Sequence, residues 1–238
     1  MDNLKLKDRI AVVTGASRGI GRAAAIALSR QGAHIIAVSR TQGGLTDLDD
    51  DLKAHDGEAT LVPLDVCNGE GIDRLGAAIY ERWGRLDILI GNAAILGPLT
   101  PVSHLDPKAL SKLLDVNLSA NHRLIRSLDP LLRVSDAGRA IFVTSSVAAS
   151  HTAYWGGYGT TKAALEAMVK TYANELANTA ARANLLDPGP VHTKLRTQAM
   201  PGEDPKTLPS PEDIAPLFVE LSAPDFTGNG EIVRYKGR

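Results

Sequence analysis

The chain has one cysteine, Cys67, in 238 residues. A lone thiol excludes an intramolecular disulfide, suits a reducing compartment, and is expected to pack as a small buried hydrophobe. Six histidines show no H-x-x-x-H or comparable ligand spacing, so no transition-metal site is predicted. Charge of neither sign prevails. A formal net charge of −1 gives no basis for a nucleic-acid partner or an anionic membrane partner. No apolar run approaches the ~18 residues of a membrane span, and no apolar leader segment precedes Arg9, so a cytoplasmic protein is expected. Repeats, low-complexity tracts and internal linkers are absent, and one domain is expected over residues 1–238. What is present, 44% hydrophobic and 22% charged residues, is the composition of an ordinary globular protein with ample length for a core.

The stretch 144–162 is the most informative. An apolar run, Ala140-Ile141-Phe142-Val143, leads through Thr144 into Ser145 and Ser146. Tyr158 then opens a helical pattern, with Lys162 four residues on. Residues at i and i+4 share a helix face, so phenol and ammonium project into one space. A phenol titrates near pH ~10, and a nearby cation is expected to lower that value. The pair therefore suits general acid–base work.

Residues 9–14 (R-I-A-V-V-T) read as a buried strand. They lead into Gly15-Ala16-Ser17-Arg18-Gly19-Ile20-Gly21 and a helical stretch at 22–31. Strand, glycine-rich turn and helix N-terminus make an anion site, where backbone N–H groups and the helix dipole meet a phosphate. The spacing is G-x-x-x-G-x-G, and in this context it points to a dinucleotide pyrophosphate. A second apolar run at 33–38 ends in Ser39-Arg40. In dinucleotide folds an acidic side chain here holds the ribose 2′-hydroxyl, whereas an arginine accommodates a 2′-phosphate. With Ser39 in the acidic position, Arg40 beside it and Arg18 in the turn, NADP(H) is preferred. NAD(H) stays open as the alternative.

Helical patterns at 43–55, 71–83, 110–132, 158–178 and 211–221 alternate with apolar runs at 59–64, 86–90, 140–143, 183–186 and 231–234. Such alternation implies right-handed βαβ units. The predicted fold is α/β: a single Rossmann-type doubly wound domain, with a mostly parallel seven-stranded sheet flanked by helices on both faces. Gly91-Asn92-Ala93-Ala94 forms a small-residue turn at the carboxyl end of a strand, where open sheets bind ligands. Asn117 interrupts an apolar stripe of leucines. A buried Asn needs partners, so it is either a structural anchor or part of a site. Residues 193–210, rich in Pro, Gly and charge, are expected to form a mobile flap.

These motifs in this order resemble the short-chain dehydrogenase/reductase family over roughly residues 6–233. The resemblance implies that Gly15, Ser17, Arg18, Gly19, Ile20 and Gly21 hold the cofactor with Arg40. Asp65-Val66 would contact adenine, and Asn92-Ala93-Ala94 matches the family's N-A-G with alanine for glycine. Pro188-Gly189, Val191 and Thr193 would run along the nicotinamide. Asn117, Tyr158 and Lys162 match the catalytic residues. The family serine stands thirteen residues before the tyrosine, which selects Ser145, although the local S-V-A-A pattern favours Ser146.

The implied reaction moves a hydride from NADPH to a carbonyl carbon or back from an alcohol. Tyr158 would donate the proton, Ser145 polarise the carbonyl, Lys162 lower the phenol pKa and hold the ribose, and Asn117 anchor a relay water. His151, Tyr154 and Trp155, with Ile95 and Leu96, would face a fairly apolar small-molecule carbonyl or alcohol substrate. Asp187, before Pro188, places a carboxylate near the nicotinamide end without an assigned role. A homodimer or homotetramer is implied, joined through the long helices near 110–132 and 158–178. Two rivals remain: an epimerase or dehydratase of the related extended family, and a non-catalytic NADP(H)-binding sensor. The glycine spacing and short C-terminal part oppose the first, and the intact Tyr158, Lys162 and Asn117 the second.

Overall fold

The computed structural model describes residues 4–237. Aliphatic and β-branched runs make its strands, because such side chains suit a pleated surface covered on both faces. They are β1 (Ile10–Thr14), β2 (His34–Ser39), β3 (Ala59–Pro63), β4 (Ile88–Gly91), β5 (Arg139–Val143), β6 (Arg182–Asp187) and β7 (Ile232–Arg234). The sheet order is β3-β2-β1-β4-β5-β6-β7. Every pairing is parallel, so the sheet is wholly rather than mostly parallel.

Helices cover both faces. On one side lie α1 (Gly19–Arg30), α2 (Gln42–Lys53) and α9 (Pro211–Ser222), packed through Leu28, Leu48 and Phe218. On the other lie α3 (Gly69–Trp83), α5 (Ala120–Val134) and α7 (Gly156–Glu175), packed through Ile79, Leu128 and Leu165. Phe142 and Phe218 are fully buried in opposite layers, and truncating either to alanine would cost about 3–5 kcal/mol. At α9, Ser210 and Asp213 form a reciprocal capping box with Pro211 at the first helical position, which explains the sharp start of this helix.

The chain crosses from β3 back to the centre of the sheet, so β1 and β4 are neighbours with their connections leading in opposite directions. A crevice opens between their carboxyl ends, the place where doubly wound sheets bind ligands.

Three elements differ from expectation. The helix expected over 110–132 is α4 (Pro107–Leu114) and α5 joined by a π-turn at Asp115–Ser119. The wider turn holds Asn117, and Asn121 Nδ2 donates to the Asn117 carbonyl at 2.8 Å. A short helix α6 (Val147–Ser150) follows the serines, and α7 begins two residues ahead of Tyr158. The segment 193–210, in which the sequence showed no helix, contains α8 (Lys194–Ala199) and a 3-10 turn, Pro205–Thr207. Thr193 Oγ1 caps α8 by accepting from Arg196 N, and Arg196 pairs with Glu203 through two contacts of 2.6 Å. Cys67 is half-buried on the rim after β3 rather than inside the core. Its own N–H donates to Asp65 Oδ1, and burial, then Asp65, push the thiol pKa up.

Candidate active site

The glycine turn sits between β1 and α1 with β4 pressed against it. Thr14, the last residue of β1, donates from Oγ1 to Ile90 O at 3.1 Å and accepts from Asn92 N and Ala93 N at 2.9 and 3.1 Å. Asn92 Nδ2 donates back to Thr14 O at 2.9 Å. These bonds fix the Asn92-Ala93-Ala94 turn beside the glycines. A methyl group on Gly21 would strike Gly15 O and lie 2.5 Å from Asn92 Nδ2, so only glycine fits there.

The turn fits a pyrophosphate. No side chain caps the N-terminus of α1, and its first turn contains no acidic residue. Its free N–H groups and dipole are therefore available to an anion. A Cβ on Gly19 would meet only Thr193, at 3.5 Å, which leaves a gap between the turn and the segment after β6. That segment begins with Pro188 and Gly189, and its Val191 is buried.

At the end of β2, Ser39 Oγ donates to Ser17 Oγ at 2.8 Å. Arg40 is 61% exposed and stands 3.9 Å from Asp65 Oδ2. Arg18 is also exposed, and α2 begins alongside with neither a side-chain cap nor an acid in its first turn. Two exposed arginines and an uncapped helix start therefore adjoin the end of β2, with the Asp65 carboxylate near Arg40. Val66 is buried next to it.

Tyr158 and Lys162 project inward from α7, 7% and 2% exposed. Lys162 Nζ donates to Val143 O at 2.7 Å and lies 5.6 Å from the Tyr158 ring centre. The lysine does not depress the phenol as the spacing suggested. Burial, then the Asp187 charge, push the Tyr158 pKa above the ordinary phenol range. Burial pulls Lys162 down to about 8, against an upward pull from Glu166. Desolvation outweighs the pair's attraction at this depth. Glu166, one turn beyond Lys162, accepts from Thr144 Oγ1 at 2.7 Å.

Asn117 is fully buried. Its Oδ1 accepts from Ile95 N at 2.9 Å, and its Nδ2 donates to Ile95 O at 3.0 Å and to Thr161 Oγ1 at 3.1 Å. The amide thus ties the loop after β4 to α7, three residues past Tyr158. Ser145 is half-buried directly after β5, whereas Ser146 is exposed at the start of α6.

Beside Tyr158 lies a separate apolar cluster: Leu96, Leu99, Val147, Trp155, Leu195 and Ala199. Trp155 meets Tyr158 edge-on, ring centres 6.0 Å apart. Of the expected substrate-facing residues, Trp155 and Leu96 join this cluster. His151 and Tyr154 lie outside this cluster and are exposed, both with positive φ, and Tyr154 is 60% exposed. Leu195 and Ala199 come from the Pro-, Gly- and charge-rich segment expected to form a flap. Leu195-x-x-x-Ala199 on a capped helical turn was the available signal.

A family model described as short chain dehydrogenase matches residues 9–204. An Escherichia coli (strain K12) protein described as uncharacterized oxidoreductase YciK is 37% identical over 92% of this chain and 88% of its own length. A short chain dehydrogenase structure from Salmonella enterica serovar Typhi covers 100% of this chain and 99% of that chain, with a TM-score of 0.95 at 34% identity. A structure from Escherichia coli CFT073, described as complexed with NADPH, covers 100% of both chains with a TM-score of 0.92 at 33% identity.

Proposed function

The chain belongs to the short-chain dehydrogenase/reductase family and is an oxidoreductase, and from that premise we propose that it interconverts an apolar carbonyl compound and its alcohol with NADP(H). The observation that carries this reading is the buried Tyr158–Lys162 pair beside an open glycine cradle and an apolar cluster.

The cofactor, when bound, supplies or accepts the hydride. Gly15, Ser17, Gly19, Ile20 and Gly21 would receive its pyrophosphate, Asp65 and Val66 its adenine, and Arg40 and Arg18 its 2′-phosphate. Asn92, Ala93, Ala94, Pro188, Gly189, Val191 and Thr193 would line its path to the nicotinamide. The likeness to a relative described as complexed with NADPH and the paired arginines both support NADP(H) over NAD(H).

Tyr158 holds its proton at neutral pH because burial disfavours the phenolate. An alkoxide is a far stronger base than a phenolate, so Tyr158 O–H gives its proton to the oxygen of a carbonyl being reduced. Ser145 Oγ–H steadies that oxygen as it gains charge. Lys162 offers a cation to the same space and a donor to the nicotinamide ribose. Asn117 positions the Ile95 backbone and a relay water that returns a proton to Tyr158. The walls formed by Leu96, Leu99, Trp155 and Leu195 exclude bulk water and select an apolar substituent.

The experiment is a titration with NADPH and with NADH, followed by intrinsic tryptophan fluorescence, on wild type and Arg40→Ala. Tighter NADPH binding that weakens about tenfold in the variant is expected from loss of a charge-assisted phosphate contact. Equal or stronger NADH binding would overturn the 2′-phosphate assignment. In a carbonyl screen with NADPH, Tyr158→Phe is expected to lower turnover by about 10²–10⁴-fold while still binding nucleotide. Full activity in that variant would remove Tyr158 from the chemistry.

A further inference from the structure

Among the described residues two carboxylates are buried, Asp87 and Asp187. They are compensated very differently. Asp87, at the amino edge of the sheet, accepts from Ile10 N and Ser135 Oγ and pairs with Arg9 and Arg85 at 3.2 Å. Asp187 ends β6 at the opposite edge, where the candidate site lies. Its carboxylate accepts one hydrogen bond, from Gly189 N at 3.1 Å. Its ion pair with Arg234 is loose, at 3.7 Å to an arginine 61% exposed. A buried carboxylate with one backbone donor and a solvated counter-charge is poorly compensated, so the site carries a residual negative charge.

The direction of that charge follows from the sheet. In β6, Ala183 and Leu185 face the layer containing α7, and Asp187 is next in the alternation. Val143 pairs with Leu186 in register, and Thr144 N donates to Leu186 O. Asp187 therefore stands across from Thr144, one residue before Ser145. Its acidic field reaches the Tyr158 phenol from this position. Gly189, which donates to the carboxylate, has open space where a side chain would project, on the wall assigned above to the nicotinamide. The ring that would occupy this space is a cation when oxidised and neutral when reduced.

We propose that Asp187 discriminates between the oxidation states of the bound cofactor, its carboxylate stabilising the pyridinium of NADP⁺ over the uncharged ring of NADPH, with Arg234 moderating the effect. The inference rests on the NADP(H) reading above. The bare alternative is a turn device, because a carboxylate accepting from the N–H two residues on commonly shapes an Asx-Pro turn. Asparagine performs that task equally well, which separates the two accounts.

The test measures dissociation constants for NADP⁺ alone and NADPH alone by calorimetry, on wild type, Asp187→Asn and Arg234→Gln. Removing the carboxylate charge is expected to raise the NADP⁺/NADPH Kd ratio about fivefold or more, the usual scale of a coupling between two groups in one site. Removing the arginine is expected to move the ratio about twofold in the opposite direction, since an exposed partner is partly screened. An unchanged ratio in Asp187→Asn, with both constants shifted alike, overturns the proposal in favour of the turn device. If that variant does not fold, Arg234→Gln decides: a lower ratio supports the proposal, and an unchanged or higher one overturns it. Failure of wild type to bind either nucleotide overturns the cofactor reading itself, and this inference with it.

Discussion

Lys162 illustrates how a single side chain can be costly to a fold and still be retained. Its ammonium is buried with one carbonyl acceptor, Val143 O, and burial lowers its pKa to about 8. A lysine whose folded pKa lies below its unfolded value binds fewer protons folded than unfolded between those two values. Stability from this source is therefore flat below about 8 and rises with pH up to ~10.4, where the unfolded side chain also loses its proton. Lys162→Met should be more stable than wild type at pH 7 by on the order of 3 kcal/mol. The difference should shrink as pH climbs to 10, read as denaturation midpoints at each pH. A difference independent of pH would show that the ammonium is not held at this cost. Some of this residue-level picture was legible in the chain. The Tyr158–Lys162 spacing and the polar break at Asn117 are local patterns. The sign of the electrostatics was not legible, because it depends on how deeply both groups are buried. Nor were Thr14, Thr161 and Glu166, whose partners lie 76, 44 and 22 residues away.

At the scale of elements, the pattern of apolar runs and helical stretches located the strands to within two residues, since parallel strands covered on both faces leave a strong hydrophobic signature. Short elements escaped. A helix of six residues such as α8 is too brief for periodicity, and Pro201, Gly202 and the charged residues around them mask Leu195 and Ala199. The consequence concerns substrate capture. Leu195→Ala should raise KM severalfold and leave the denaturation midpoint nearly unchanged, because Leu195 packs on the satellite cluster beside Tyr158 rather than on either main layer. A stability loss above about 2 kcal/mol, as in a true core truncation, with KM unaltered would contradict this. The π-turn was equally hidden. Leucines keep helical spacing on both sides of it, so the polar break at Asn117 reads as a buried Asn within one helix, and the bonds of Asn117 and Asn121 mark the turn's place.

For the whole molecule, the outer faces of α5 and α7 share a groove of about 440 Å³ lined by residues including Ile125, Met168 and Tyr172. The family resemblance implies that these helices join two copies. Met168→Glu, which adds a carboxylate to this groove, should convert a dimer or tetramer to a smaller species by sedimentation. An unchanged mass would place the assembly face elsewhere. The doubly wound layout itself was legible from strand–helix alternation, while its fully parallel sheet depends on β7 pairing beside β6, a long-range event no local pattern encodes. Finally, the Ile95 amide lies outside any strand or helix, yet it is bonded at 2.9 Å by a side chain 22 positions away. Its exchange with deuterated solvent therefore keeps time for the site rather than for the sheet. In wild type that proton should persist far longer than its loop neighbours, and in Asn117→Ala it should vanish with them. A single amide becomes a clock for how often loop and helix part.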